Sequence, residues 1–288
     1  MKIQDIAGLY LQSEKTSAIV DSINTTDHAR IWLKGLKGSV APLMVSSVYK
    51  HLQGIHLVVL EDKEVAAYFY NDLENLFGER EKEIHHKKVL FFPTSYKRPY
   101  DVENLDNANV LARTEVLKRI GGASKNLIIV SYGEALCEKV VTKSYISKNT
   151  LKISVGERLS LDFTTDVLLE YGFDRVEYVY EPGQFSLRGG IVDVWSYSDE
   201  YPYRIEFFGD DIESIRSFNP ETQLSVTSLK RVSILPNIQE RSIEEKHQNI
   251  IQYLPGTTNL WFDNLQFAID QVDKDFKIAK EAFDNLEG

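Results

Sequence analysis

Five short runs between residues 176 and 218 restrict the possible folds of this chain more than any other feature. Residues 176–180, 184–188, 190–195, 203–208 and 212–218 read as strands, separated by turn signals at Pro182-Gly183, Gly189-Gly190 and Gly209-Asp210. One amphipathic segment precedes them. In GERLSLDFTTDVLLEYGF the residues Leu159, Phe163, Val167 and Leu168 fall on one stripe, and Gly172 follows as a stop signal. A helix ahead of several short strands predicts a small α+β domain over 150–235, closed by Pro236.

The flanking regions have a different character. From residue 1 to 149, apolar runs at 56–60, 88–92 and 126–131 alternate with helical segments such as DKEVAAYFYNDLENLF and ANVLARTEVLKRIGG. That alternation predicts an α/β domain with crossover helices, interrupted by the α+β insert and resumed over 236–288. The resumed part has a strand candidate at 258–262 and then a helix whose Leu265, Ile269, Val272, Phe276, Ala279, Phe283 and Leu286 recur every three or four residues. Such a stripe is expected to face a core. A chain ending directly after this helix is expected to belong to something longer.

Period-two alternation assigns faces within the insert. Along 203–208 it puts Tyr203, Ile205 and Phe207 on one side and Arg204, Glu206 and Phe208 on the other. Along 184–188 it sends Phe185 and Leu187 inward and Gln184, Ser186 and Arg188 outward. Two arginines and a phenylalanine on an outer face have the composition of a protein-binding hot spot. A structural alternative stands beside it: both arginines pair with Asp193, Asp210, Asp211 or Glu213, and Phe208 folds over the sheet end.

Signals for chemistry are weak elsewhere. The segment Gly35-Leu36-Lys37-Gly38-Ser39-Val40-Ala41-Pro42 has the length and place of a phosphate-binding loop, but Val40, Ala41 and Pro42 stand where glycine, lysine and a hydroxyl are needed. Pro42 also lacks an N–H that could face an anion. The loop is therefore expected to be degenerate. NLWFDN resembles an apolar strand ending in an acidic magnesium motif, yet Asn264 follows Asp263 where a glutamate is expected.

No catalytic residue and no metal site are expected. The six histidines, His28, His51, His56, His85, His86 and His247, lack helical ligand spacing and read as surface residues, with the adjacent His85 and His86 projecting apart. Cys137 is the sole cysteine, which excludes an intrachain disulfide, and it reads as a small packed side chain. With 33 Lys and Arg against 43 Asp and Glu, the net charge of −10 gives no long-range attraction to nucleic acid or anionic lipid. Direct DNA contact through Lys97 and Arg98 with Tyr96 and Tyr100 is the remaining local option. No signal peptide or membrane-length apolar run is present in the sequence, so a cytoplasmic location is expected.

The runs EPGQFSLRGGIVDV and YRIEFFGDDIESIRSFNPETQ resemble the small domain shared by the excision-repair protein UvrB and the transcription-repair coupling factor Mfd. The likeness extends through SVGERLSLDFTTDVLLEYGF and VLFFPTSYKRPYDVENLD. The defective loop, and the short PTSYKRPYDVENL where UvrB carries a long tyrosine-rich hairpin, favour the coupling-factor side. The resemblance implies a degenerate helicase-like α/β domain carrying a UvrA-binding insert, with Arg188, Arg204 and Phe208 at the motif-matched positions. It implies no cofactor for this region. ATP, magnesium, RNA polymerase and DNA would be handled by parts of the longer relatives outside these residues. The rival reading is an ATP-binding, UvrB-like helicase fragment with direct DNA contact.

Overall fold

The computed structural model describes residues 3–96, 106–122, 126–236 and 247–284. The first part of the chain forms α1 (Ile3–Leu11), α2 (Glu14–Thr25), α3 (Val40–Leu52), β1 (Ile55–Leu60), α4 (Lys63–Phe77), β2 (Val89–Phe91), α5 (Asn107–Gly121) and β3 (Leu127–Tyr132). Short elements follow: α6 (Gly133–Cys137), β4 (Val140–Val141), α7 (Lys143–Lys148) and β5 (Leu151–Ser154). Next come α8 (Leu161–Glu170), β6 (Asp174–Arg175), β7 (Gln184–Arg188), β8 (Ile191–Val194), β9 (Tyr203–Phe208) and β10 (Asp211–Phe218). The chain continues as β11 (Ser225–Leu229), β12 (Arg231–Ile234), β13 (His247–Gln248), α9 (Ile250–Tyr253), β14 (Asn259–Phe262) and α10 (Leu265–Asp284).

The chain divides into two compact units. One comprises Met1–Thr94, Lys118–Glu138 and Leu254–Gly288; the other comprises Ser95–Leu117 and Lys139–Tyr253.

The first unit is built on a parallel sheet of order β14-β1-β3-β2. Every residue of β1 and β3 is buried, which is why both strands read as mostly apolar runs. Helix α4 packs on this sheet. It starts at Asp62, whose carboxylate accepts from the Val65 N–H at 2.8 Å, and stops at Gly78 in the left-handed conformation. The mixed α/β class with a parallel sheet is the one expected from the sequence.

Three local expectations for this unit are corrected. His56 is buried: Trp261 Nε1 donates to its Nδ1 at 3.1 Å, and its Nε2 lies 3.0 Å from the Gln53 carbonyl. Its place on the all-buried strand β1 takes it off the surface, and that burial lowers its pKa to about 4, so the ring is neutral. Cys137, expected to be packed, is exposed at the end of the short α6. Partial burial of its thiol, with Asp275 and Glu134 nearby, pushes the pKa up to about 11.

The α10 stripe is the third correction. Leu265, Ile269, Val272 and Phe276 are all exposed, Phe276 at 68%. The helix meets α6, where Ala268 and Val272 lie beside Gly133, and among the described residues the rest of the stripe stays exposed. Periodicity reports that a helix is amphipathic; it does not report what covers the apolar side. The side chains of Ala279 and Phe283, and Leu286 as a whole, lie outside the described residues, as do Lys97, Arg98 and Tyr100.

The second unit contains a six-stranded sheet of order β11-β10-β9-β8-β7-β6 and the two-stranded ladders β12-β5 and β13-β4. Strands β7 to β11 pair antiparallel, while β6 joins β7 in parallel. Phe185, Val192, Val194, Tyr203, Ile205 and Ile215 point to one side and form a core with Leu168 and Phe173. Helix α8 is capped by Ser160, whose side chain accepts from the Phe163 N–H. It buries Thr164 and Leu168; Phe163, expected on the apolar stripe, is exposed.

The expected strand at 176–180 is also absent. Val176 N–H still bonds the Phe185 carbonyl, but beyond it side chains replace the ladder: Gln184 Oε1 accepts from the N–H groups of Tyr180 and Glu181. Among the described residues no helix is long and apolar enough to cross a membrane.

Candidate partner-binding face

Cross-strand register brings the outward residues of the second unit into rows. Ser186 pairs with Asp193, Asp193 with Arg204, and Arg204 with Arg216. The next row runs through Arg188, Ile191, Glu206 and Ser214, and Phe208 stands opposite Asp211 at the end of β9. Alternation therefore placed Arg188, Arg204 and Phe208 on one face, and the structure brings them to that face.

Asp193 organises the row. Arg204 grips it through Nε to Oδ1 and Nη2 to Oδ2, both at 2.7 Å, and Arg188 Nη2 donates to the same Oδ2. The two guanidinium groups cover the carboxylate, so an outward-pointing aspartate has a side chain only 2% exposed. Such charge-assisted, bidentate contacts are among the strongest available to side chains. They also hold Arg204 in its charged form, raising its pKa chiefly through the bonds to Asp193.

The two arginines differ in what they leave available. Arg204 is committed to Asp193 and Gln223, whose Oε1 accepts from Nη2 at 3.0 Å, and its guanidinium stacks on Phe218 at 4.4 Å. Arg188 bonds the Glu177 carbonyl at 3.2 Å and lies over the Tyr178 ring at 4.9 Å, yet 34% of its side chain remains in solvent. With one carboxylate between two guanidinium groups, the Arg188–Asp193–Arg204 cluster carries one positive charge beyond balance. Glu206 and Arg216 pair beside it at 2.5 Å.

Phe208 is 78% exposed and has not folded over the sheet end. Its mount is rigid. Gly209 turns the chain at φ 63°, the left-handed region that glycine enters without a Cβ clash. The segment before α8 then holds the turn: Ile212 N–H bonds the Glu157 carbonyl at 3.0 Å, and Leu159 N–H bonds the Asp210 carbonyl at 2.8 Å. An exposed aromatic ring on the same face as a partly exposed guanidinium is suited to insertion into an apolar recess with an acidic rim. Sequence reasoning missed Tyr178 and Gln223 as supports. Asp193, by contrast, was signalled as one of the open alternatives for the arginines.

The glycine loop has separate geometry. Gly35 and Gly38 take positive φ angles of 81° and 56°. Helix α3 begins at Val40, so Val40, Ala41 and Pro42 form its first turn. Ser39 directs its hydroxyl to Asp72 at 2.8 Å rather than to the helix N-terminus. At the end of β14, Asp263 is exposed, and the Asn264 side chain accepts from the Phe267 N–H at 3.1 Å, capping α10.

One further cluster departs from expectation. The rings of His85 and His86 do not project apart; their centroids are 4.1 Å from each other, and both face Glu83. A tight 3-10 turn, Ile84–His86, sets the backbone, and side-chain torsions bring both rings back to the carboxylate.

Residues 151–239, which include this face, match the family model described as UvrB interaction domain. Most of the chain is homologous to two kinds of curated protein. It is 30% identical over 218 residues to the transcription-repair-coupling factor of Myxococcus xanthus, covering 76% of this chain and 18% of that protein. The Bacillus subtilis transcription-repair-coupling factor is 26% identical over 205 residues, with 71% and 17% covered. UvrABC system protein B of Kosmotoga olearia is 24% identical over 249 residues, with 84% and 37% covered. The chain thus spans under a fifth of these coupling factors and just over a third of that UvrABC protein.

Proposed function

We propose that this chain is a non-catalytic adaptor module of a transcription-repair coupling factor, and that the outer face of β7 to β9 docks UvrA during nucleotide excision repair. The observation that carries this reading is the rigidly mounted, solvent-exposed Phe208 on the same face as Arg188 and Arg204. The match of residues 151–239 to the UvrB interaction domain supports the choice of partner. Arg188 offers its remaining donors to a partner carboxylate, Phe208 fills an apolar recess, and Arg204 with Asp193 keeps the face in register.

In this reading the α/β body is a support with a degenerate nucleotide loop and no cofactor. Pro42 as the third helical residue of α3 supplies no N–H, Ala41 supplies no cation, and Asn264 serves as a helix cap where a carboxylate would act. RNA polymerase binding, DNA binding and ATP-driven translocation fall to parts of the longer relatives that this chain does not span.

Size-exclusion co-elution with purified UvrA tests the proposal. The wild-type chain co-elutes, and the double variant Arg188→Ala, Phe208→Ala elutes separately while keeping its far-UV circular dichroism. Equal co-elution of both would refute the site. Calorimetric titration with ATP and magnesium tests the loop, for which micromolar binding would overturn the degenerate reading.

A further inference from the structure

The turn between α4 and β2 brings three potential metal ligands together outside the proposed docking face. One ligand atom each from Glu83, His85 and His86 lies within 4.8 Å of the other two. His85 Nε2 is 3.1 Å and His86 Nδ1 is 3.8 Å from the same carboxylate oxygen, Glu83 Oε2. Two ligands of a tetrahedral zinc ion, each at about 2.1 Å from the metal, stand roughly 3.4 Å apart. The two separations from Glu83 Oε2 bracket that value.

The backbone beneath the cluster is held from several sides. His86 N–H bonds the Glu83 carbonyl at 2.9 Å, and Arg119 Nη1 donates to the carbonyls of His85 and Lys87 at 3.0 and 3.1 Å. From upstream, the buried Glu79 carboxylate accepts from the N–H groups of Lys88 and Val89 at 2.6 and 3.1 Å. Neighbouring cations are engaged elsewhere, since Lys82 pairs with Glu79 and Lys87 with Glu74. The turn therefore presents its two imidazoles and one carboxylate on a fixed base.

We propose that Glu83, His85 and His86 form a surface site for a borderline divalent transition-metal ion such as zinc. His85 Nε2, His86 Nδ1 and one oxygen of Glu83 are the protein ligands, and water completes the coordination. The mixed nitrogen and oxygen donor set selects against magnesium and calcium, which require oxygen ligands. Because the ligands are supplied by the folded turn, metal binding stabilises the native chain by mass action.

Calorimetric titration of the full chain with zinc, and visible spectroscopy with cobalt(II), test the site. The expected result is one saturable zinc per chain, with cobalt giving the d–d bands of a four-coordinate ion. The variant His85→Asn, His86→Asn loses both signals, and Glu83→Gln weakens zinc binding by roughly tenfold or more. His51→Ala, at an exposed histidine outside the cluster, leaves them unchanged. The proposal is overturned if the wild-type chain takes up no zinc, if the double variant binds it equally well, or if magnesium displaces it at equal concentration. Circular dichroism of each variant separates lost ligands from lost fold.

Discussion

Two glycine turns, one in each unit, put similar backbone conformations to different ends. At Gly35 and Gly38 the left-handed turns lead into α3, whose first turn offers Val40, Ala41 and Pro42. At Gly209 a left-handed turn is clamped by the 156–159 segment and leaves Phe208 in solvent on the same face as the paired arginines. The glycine provides only a change of direction; the groups delivered beside it decide the chemistry. In the proposed reading the first turn is degenerate for phosphate, whereas the second presents an anchor for a partner.

The sharpest way to break this comparison is to remove the support. Asp193→Ala leaves two guanidinium groups without their shared carboxylate and is expected to cost about 3 kcal/mol, toward the lower end for a buried pair because Arg188 is partly in water. Urea denaturation measures it, and a loss below about 0.5 kcal/mol would show that the row is not held by Asp193.

The parallel-sheet unit can be tested through His56. Its folded pKa is lowered to about 4 by burial, while an unfolded histidine titrates near ~6.5. The unfolded chain therefore takes up this proton first as pH falls. The stabilisation is complete above ~6.5, is lost progressively toward ~4, and is constant below, amounting to at most about 3 kcal/mol. Comparing the pH dependence of wild type with His56→Asn isolates this contribution. Identical profiles would mean that the ring is not held neutral.

Glycine substitutions probe each unit at lower cost. A Cβ on Gly190 would lie 2.7 Å from the Phe207 carbonyl oxygen, so Gly190→Ala is expected to destabilise by about 2 kcal/mol through backbone displacement. Gly38→Ala meets open space and bears only the left-handed conformation, about 1 kcal/mol. Thermal melts of both variants order them. The smallest effect belongs to Phe208→Ala, expected to change stability by less than about 0.5 kcal/mol because the ring packs on little.

What was legible in the sequence follows the same division. Strands β7 to β10 were readable because one side of each packs into a common core and the other meets water, giving clean alternation. Strand β11 was not, since Ser225-Val226-Thr227-Ser228-Leu229 lies at the sheet edge with little buried on either side. The exposed α10 stripe and the irregular segment after β6 fail for another reason: a pattern identifies an apolar or strand-forming segment, but tertiary contacts decide whether it is covered or paired. For the candidate face, alternation gave the direction of Arg188, Arg204 and Phe208. The sharing of Asp193 by both arginines depends on register between strands, which alternation within one strand cannot supply.

Calorimetric titration of purified UvrA with wild type, Phe208→Ala and Phe163→Ala tests the central claim most directly. Phe163 is an exposed aromatic on α8, outside the proposed face, and controls for general stickiness. The account predicts that Phe208→Ala weakens binding by about 1–3 kcal/mol while Phe163→Ala binds as wild type does. Equal affinity for wild type and Phe208→Ala, or an equal loss from both substitutions, would contradict it.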